Sequence, residues 1–307
     1  TSTTRAWPRR SHRYVRTSAE AEFGIPRARL GETFFKVFAP LFFSAPGSLT
    51  PTKLSHLPRA QVTLTPPSDA ERSVRFGDIV MLANVASGAA VAADVEDADA
   101  RGDELACAVS ASTRPAPAAR NTWSFEKYAP RASAFLTPTW DDDLVRYGQK
   151  VKIVLNAAAG AISGAASGAA ANDAAETKNR LRSYAVSTTR FAKRSRFCEV
   201  AVSAFDSYEC VFEILTPDPT KRLVSEGVPV SAGAPVVIRH CQTNQCLSVP
   251  GPAFANDFGD ELEVAGHTAS GAGNAYVMQG LATGKPDSMT TKAPGDVNAF
   301  IIVAGER

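Results

Sequence analysis

Three segments of this chain share one short pattern, and this repetition limits the folds that the chain can adopt. They read VRFGDIVMLAN (74 to 84), VRYGQKVKIVLN (145 to 156) and VSAGAPVVIRH (230 to 240). Each has a glycine, a valine three residues later, and a leucine or isoleucine two residues after the valine. The glycine suits a turn that enters a strand, and apolar residues spaced by two face one side of the strand. We therefore predict equivalent strands in three copies of one unit.

A second pattern, an alternation of aromatic and apolar residues, closes each copy. It reads NTWSFEKY (121 to 128), YECVFEIL (208 to 215) and NAFIIVAG (298 to 305), and the middle copy lacks the asparagine. Three related β units bury their apolar faces only against one another, which favours one barrel over three separate domains. The fold class predicted is all-β, a β-trefoil over residues 56 to 307, with repeats at about 62 to 128, 131 to 215 and 220 to 305.

The repeats also predict which side chains form the core. The six that should face it are Val80, Leu82, Val151, Ile153, Val236 and Ile238. Between the repeats, stretches rich in Ala, Gly, Pro and Asp predict loops at 86 to 104, 111 to 119, 251 to 260 and 281 to 296. Residues 157 to 175 hold 11 Ala and 3 Gly and predict a low-complexity insertion.

Charge is distributed unevenly along the 307 residues, which hold 33 Lys and Arg against 31 Asp and Glu. Residues 1 to 60 carry 10 basic and 3 acidic side chains, a net +7, and the rest of the chain carries 23 and 28, a net −5. This asymmetry predicts a flexible basic N-terminal extension over residues 1 to 55. The alternative is a cleaved targeting peptide, which the arginines and the apolar run at 34 to 43 favour and three glutamates oppose.

The overall composition argues against several classes of protein. The near-neutral total charge is not typical of a dedicated nucleic-acid binder or of a polybasic membrane protein. Five cysteines, an odd number in a long chain, favour a reducing compartment over a disulfide framework. Motifs of common enzymes are incomplete: GAASG (164 to 168) misplaces the serine of a nucleophile elbow, and GLATGKP (280 to 286) departs from a phosphate loop. We predict neither a catalytic site nor a cofactor.

Two clusters raise the question of a metal. His240, Cys241 and Cys246 lie close in sequence, and His267 offers a fourth zinc ligand. Neighbouring residues on a strand point to opposite faces, so buried thiols beside a polar histidine are the favoured alternative to zinc. The run at 141 to 143, three aspartates, is either a calcium site or a solvated turn, and it lacks the spaced oxygen ligands of calcium loops. We predict no metal.

One basic segment stands out because no acidic residue interrupts it. Its members are Lys178, Arg180, Arg182, Arg190, Lys193, Arg194 and Arg196, interleaved with Tyr184, Phe191 and Phe197. Three interpretations stay open. The segment is a solvated loop or edge strand, an electrostatic docking patch for a partner, or, on charge and aromatic interleaving, a surface for RNA.

The residues also resemble known families. RHCQTNQCLSV (239 to 249), after a glycine and a Val-x-Ile strand, resembles the MIR motif, a β-trefoil unit. A larger set, over about residues 50 to 307, is similar to the cilia- and flagella-associated protein 161 family. It comprises RFGDIVMLAN (75 to 84), RNTW (120 to 123), RYG (146 to 148), KRS (193 to 195), TPDP (216 to 219), EGVPV (226 to 230), HCQTNQCLS (240 to 248) and FGDELEVAGHT (258 to 268).

This resemblance implies a structural, non-enzymatic protein with a MIR-like β-trefoil. The family consists of microtubule inner proteins of the axonemal doublet in cilia and flagella, part of the cytoskeleton. The partners implied are the luminal surface of tubulin in the A-tubule and neighbouring microtubule inner proteins, with no nucleic acid and no membrane. The alternative is a MIR-like or lectin-like module for a sugar or small ligand. Against it, Gln242 and Asn244 occur only in the third copy.

Overall fold

A computed structural model describes residues 61–67, 72–101, 104–114, 116–129, 140, 142–160, 178–269 and 294–305. The extension predicted over residues 1 to 55, the loop predicted over most of 281 to 296, and nearly all of the insertion predicted over 157 to 175 lie outside these described residues. No helix in the described part is long and apolar enough to cross a membrane.

Nearly all the regular secondary structure of the described residues is β-strand. The strands are β1 (Met81–Asn84), β2 (Ala90–Arg101), β3 (Glu104–Ser112), β4 (Trp123–Lys127), β5 (Lys150–Leu155), β6 (Arg180–Ser183), β7 (Cys198–Ser203), β8 (Val211–Leu215), β9 (Pro235–His240), β10 (Leu247–Ser248), β11 (Ala253–Asn256), β12 (Gly259–Glu263), β13 (Ala265–Gly266) and β14 (Ala299–Val303). One short helical turn, α1 (Arg222–Ser225), lies between β8 and β9. The prediction of an all-β fold is confirmed.

Strand pairing closes the sheet on itself. The order of hydrogen-bonded neighbours runs β3, β7, β6, β5, β8, β9, β14, β1 and β2, and it returns to β3 because β3 pairs with both β2 and β7. All of these pairs are antiparallel. A closed barrel has no free edge along this circuit, so its backbone polar groups are satisfied within the wall.

Three valines, one at the start of each copy, join the copies in a ring. The backbone N–H of Val74 donates to the carbonyl of Val230 over 2.9 Å, that of Val145 to Val74 over 2.9 Å, and that of Val230 to Val145 over 2.8 Å. Each valine is at most 1% exposed. A cyclic set of bonds of this kind requires the three copies to surround a common axis.

The repeated glycines connect the two ends of each copy. The N–H groups of Gly77, Gly148 and Gly233 donate to the carbonyls of Phe125, Ile214 and Ile302 over 3.0, 2.8 and 3.0 Å. All three glycines have positive φ angles, of 85°, 77° and 82°. Residues with a Cβ rarely adopt this conformation, which explains why the pattern requires glycine.

The six predicted core residues lie together in one hydrophobic cluster. Each of Val80, Leu82, Val151, Ile153, Val236 and Ile238 is 0% exposed. Large side chains of the closing strands, among them Trp123, Phe212 and Phe300, pack into the same cluster. The interior of the barrel is therefore filled by side chains, and this expectation from the period-two pattern is confirmed.

A single turn of 3-10 helix precedes each closing strand. These turns are Ala119–Asn121, Tyr208–Cys210 and Asp296–Asn298. The buried amides of Asn121 and Asn298 bond to backbone groups of their own copies. Cys210 takes the equivalent place in the middle copy, where its thiol donates to the carbonyl of Phe205 over 3.5 Å.

Two of the predicted loops were wrong. Residues 86 to 104 form most of the long hairpin of β2 and β3, and residues 251 to 260 contain β11 and the start of β12. In β2 the first four residues, 90 to 93, are all buried, and a register irregularity lies between Ala93 and Ala98. Pairing with β3 decides the strand, although Ala and Asp are depleted in strands generally.

Candidate interaction surface

The basic segment of residues 178 to 196 divides into two parts. Its first part enters β6, which pairs with β7 in an antiparallel hairpin. The second part lies in the loop of this hairpin, residues 184 to 197, which we call the basic loop. The seven basic residues therefore belong to two different elements of the structure.

The charges of the first part are matched within the barrel wall. The ammonium of Lys178 lies 3.2 Å from one carboxylate oxygen of Glu126, and Nε of Arg180 lies 3.4 Å from the other. Arg182 is buried, and its Nε donates to the carboxylate of Glu209 over 2.8 Å. These three residues join β6 and the residues just before it to neighbouring elements through ion pairs within the chain.

The basic loop carries the other four cations, Arg190, Lys193, Arg194 and Arg196. Its tip is a defined turn, in which Ala192 N–H donates to the Phe197 carbonyl and Arg196 N–H donates to the Ala192 carbonyl, each over 2.9 Å. Arg196 has a φ of 63°, a left-handed conformation that is uncommon for residues with a side chain.

Glu263, at the end of β12, anchors this loop. Its two carboxylate oxygens accept hydrogen bonds from the backbone N–H groups of Arg194 and Ser195, over 2.8 and 2.7 Å. Glu263 is only 6% exposed, and its charge is satisfied by these bonds to an ordered backbone. The anchor holds the turn against the barrel while the side chains of Lys193, Arg194 and Arg196 remain exposed.

Three guanidinium groups of the loop lie over aromatic rings. The guanidinium carbon of Arg194 is 4.0 Å from the ring centre of Phe254, that of Arg196 is 4.5 Å from Phe191, and that of Arg190 is 4.6 Å from Tyr184. These are cation–π distances. Two of these rings, Tyr184 and Phe191, belong to the aromatic residues interleaved with the basic ones, and the third, Phe254, comes from β11.

The remaining aromatic residue of the loop, Phe197, stacks on His267. Their ring centres are 3.7 Å apart and the planes differ by 3°. His267 is one of the candidate zinc ligands, and its ring packs here against the base of the basic loop. This contact holds the C-terminal end of the basic loop against His267, the residue that follows β13.

The other candidate zinc ligands flank one turn, where His240 and Cys246 are buried and Cys241 is partly exposed. His240 accepts a hydrogen bond from Thr243 at Nδ1 over 2.8 Å, and its Nε2 donates to the Glu209 carbonyl over 2.9 Å. Burial raises the pKa of the Cys241 thiol to about 11, which opposes formation of a thiolate. Both ring nitrogens of His240 are thus engaged in hydrogen bonds within the protein. Among the described residues, no group of three or more His, Cys, Asp or Glu is placed to hold a metal ion.

The acidic run at 141 to 143 contacts cations of the chain itself. Asp142 pairs with Arg146, and Asp143 lies 3.2 Å from the ammonium of Lys127. Asp141 lies outside the described residues. The two described aspartates belong to the surface of a turn between copies.

Comparison with known proteins identifies the family. A profile of the cilia- and flagella-associated protein 161-like domain matches residues 54–274, more than two thirds of the chain. The chain belongs to this family. It is therefore a cilia- and flagella-associated protein, as the family resemblance of its motifs implied. The matched range contains the basic loop and its anchor Glu263, and it ends before β14.

Two curated relatives carry the same family name. Cilia- and flagella-associated protein 161 of Danio rerio is 37% identical over 83 residues, which cover 27% of this chain and 28% of the relative. Its counterpart in Bos taurus is 30% identical over 166 residues, covering 54% of this chain and 44% of the relative. The chain thus matches less than half the length of these curated relatives.

The solved structures that match this chain include two proteins of low sequence identity. The SDF2-like protein from Arabidopsis thaliana has a TM-score of 0.45 and 10% identity, with 76% of this chain and 99% of that chain covered. The S. cerevisiae protein O-mannosyltransferase Pmt1–Pmt2 complex has a TM-score of 0.46 and 16% identity, with 91% and 31% covered. The family membership rests on the sequence match alone.

Sequence reasoning singled out the basic loop but missed its anchor. Glu263 lies 69 positions from Arg194, and no local pattern links the two residues. The available signal was FGDELEVAGHT (258 to 268), which the family resemblance marked as specific. This segment supplies Glu261, Glu263 and His267, three side chains that make buried or stacked contacts with other elements.

Proposed function

We propose that this protein is a structural microtubule inner protein, which binds the luminal wall of the A-tubule in axonemal doublet microtubules and stabilises them for ciliary motility. The observation that carries this proposal is the family match over residues 54–274. The role proposed is non-enzymatic and needs no cofactor. The location proposed is the axoneme of the cilium or flagellum.

The barrel is proposed to be a β-trefoil of the MIR type. Three sets of equivalent contacts support this finer description: the ring of Val74, Val145 and Val230, the three glycine turns, and the three 3-10 turns before the closing strands. A filled, closed barrel of this kind is rigid, because its core is close-packed. Rigidity suits a component that has to hold a fixed position on a polymer.

The basic loop is the part of the surface that we propose to contact the partner. It presents Lys193, Arg194 and Arg196 to solvent on a turn that Glu263 holds in place. The partners proposed are the luminal surface of tubulin and neighbouring microtubule inner proteins, through their acidic side chains. Complementary charge at such a contact fixes orientation and speeds association.

Extraction of purified axonemes with high salt tests the location. Salt screens exposed charge pairs but leaves the doublet wall closed, so a luminal protein should stay with the doublets while outer dyneins are released. The protein carries a tag at its C-terminus, and both fractions are examined by immunoblot. Release together with the dyneins would contradict a luminal position and favour a peripheral binding module.

A further inference from the structure

We propose that Arg194 and Arg196 form a preorganised recognition pair for carboxylates on an acidic protein surface, and that Glu263 is the positioning residue for this pair. The inference deepens the proposed function, on which it rests for the identity of the partner. It assigns the contact to two side chains and one anchor.

Each of the two arginines uses one part of its guanidinium inside the protein and leaves another part outside. The guanidinium carbon lies over a ring, Phe254 for Arg194 and Phe191 for Arg196, at 4.0 and 4.5 Å from the ring centre. Neither has an ion pair with a carboxylate among the described residues. The N–H donors at the guanidinium edge form a planar fork that matches a carboxylate with two parallel hydrogen bonds.

The backbone that carries the pair is also held. The carboxylate of Glu263 binds the N–H groups of Arg194 and Ser195, and the Arg196 N–H binds the Ala192 carbonyl. Because the turn is ordered before the partner arrives, less conformational entropy is lost on binding. A loop of the same charge without this anchor would lose more conformational entropy on binding the partner.

The geometry favours protein over nucleic acid as the partner. Binding of single-stranded nucleic acid uses exposed aromatic faces on which bases stack. In this loop Tyr184 is buried, Phe191 lies under a guanidinium, and Phe197 is stacked on His267. The rings that the RNA interpretation required are therefore engaged inside the protein, whereas the guanidinium edges are available for carboxylates.

The first experiment measures binding of the full chain to a ten-residue polyglutamate peptide and to a ten-nucleotide oligoadenylate by fluorescence anisotropy. Arg194→Lys combined with Arg196→Lys keeps the charge but removes the planar forks, and should weaken peptide binding about fivefold to tenfold. Lys221→Gln, a substitution of an exposed lysine on a different turn, is the matched control and should bind like the wild type. Wild-type affinity in the double variant would overturn the proposal, and so would tighter binding of the oligonucleotide than of the peptide.

The second experiment tests the positioning role of Glu263. In Glu263→Gln one of the two carboxylate acceptors becomes an amide donor, so hydrogen exchange at the Arg194 and Ser195 amides should become about tenfold faster or more. Peptide affinity should fall together with this protection. If Glu263→Gln does not fold, Glu263→Asp, which keeps the charge and shortens the reach, gives the same two measurements. Unchanged exchange and unchanged affinity would remove Glu263 from the proposal.

These assays use purified protein, so their outcome is separate from the location in the cell. Peptide binding that depends on the two arginines, combined with release of the protein from axonemes in high salt, would contradict the luminal function and leave the recognition pair in place. If the two arginine substitutions leave peptide binding unchanged while the protein stays with the doublets in high salt, only the recognition pair is contradicted.

Discussion

Arg120 and Glu261 lie 141 positions apart in the chain, and their side chains meet through two hydrogen bonds, of 2.7 and 3.0 Å. Glu261 is 2% exposed, and it also accepts hydrogen bonds from Ser110 and Asn256. Burial opposes ionisation of this carboxyl, but the bonds from Arg120, Ser110 and Asn256 outweigh it and hold the pKa of Glu261 below its usual value. Two segments that the family resemblance singled out, RNTW and FGDELEVAGHT, therefore meet at one buried ion pair.

Removing one partner of this pair should destabilise the fold strongly. Arg120→Met leaves the Glu261 carboxylate buried without its guanidinium, and we expect the free energy of unfolding to fall by about 3 to 5 kcal/mol. Urea denaturation followed by tryptophan fluorescence measures this change. Glu261→Gln keeps a group of the same shape, so the free energy of unfolding should fall by less than in Arg120→Met. A midpoint for Arg120→Met equal to that of the wild type would show that the pair contributes nothing to stability.

The three copies should contribute to stability in the same way. Leu82, Ile153 and Ile238 occupy equivalent positions and are each fully buried, so replacing any one with Ala should cost about 2 to 5 kcal/mol through lost burial and a new cavity. Leu223 is 83% exposed, and Leu223→Ala is the matched control, with an expected change within about 0.5 kcal/mol. Thermal unfolding of the four variants tests this. One copy that tolerates the change would mean that the three units do not share one core.

His240 should make stability depend on pH. Burial lowers the pKa of His240 below its usual value of 6.5, and the hydrogen bond to the Glu209 carbonyl opposes this only in part. The unfolded chain therefore takes up a proton more readily than the folded one. Neutral His240 contributes fully to the free energy of unfolding above about pH 6.5, and this contribution is lost as the pH falls from there through the pKa of His240 in the folded state.

Denaturation at pH 7.5 and pH 5.5 measures this dependence. In His240→Gln the fold should be less stable at both values, because buried bonds to Thr243 and Glu209 are weakened, and the difference between the two values should be smaller than in the wild type. An equal loss of stability on acidification in both proteins would assign the effect to other groups.

The strands of the repeats could be predicted from sequence because their signals are local. In the second copy, for example, Gly148 marks a turn that needs a positive φ, and Val151 and Ile153, spaced by two, mark one buried face of the strand that follows. This signal lies within a single turn and strand. The hairpin of β2 and β3 was missed because its alanines and acids resemble a loop in composition. Its strands form because β3 also pairs with the distant strands β7 and β12, which no local pattern specifies.

The contacts of the candidate surface depend on the barrel as a whole and could not be predicted. The basic loop was visible as a run of cations without acids. That Arg182 is buried against Glu209, while Arg194 is exposed and held by Glu263, follows from which strands become neighbours. The segment FGDELEVAGHT lies beside the loop because β13 pairs with β7, β12 pairs with β3, and β3 pairs with β7. No feature within the loop itself specifies this pairing.

Charge reversal in the basic loop should weaken incorporation into axonemes. Changing Lys193, Arg194 and Arg196 to Glu replaces attraction to an acidic surface with repulsion, and each exposed pair contributes only about 0.2 to 1 kcal/mol, so the loss should be partial. Quantitative mass spectrometry of purified axonemes measures the amount retained. Lys221→Glu, a reversal on a separate turn, is the control and should be incorporated normally. Equal retention of both variants would contradict a docking role for the loop.

The proposed function places the protein inside the doublet. Cryo-electron microscopy of doublet microtubules from cilia with and without this chain tests it directly. We predict one difference density per binding site on the luminal wall of the A-tubule that accommodates the closed barrel, with the basic loop directed at an acidic surface. Difference density on the outer wall, or doublets that are identical with and without the chain, would contradict the claim.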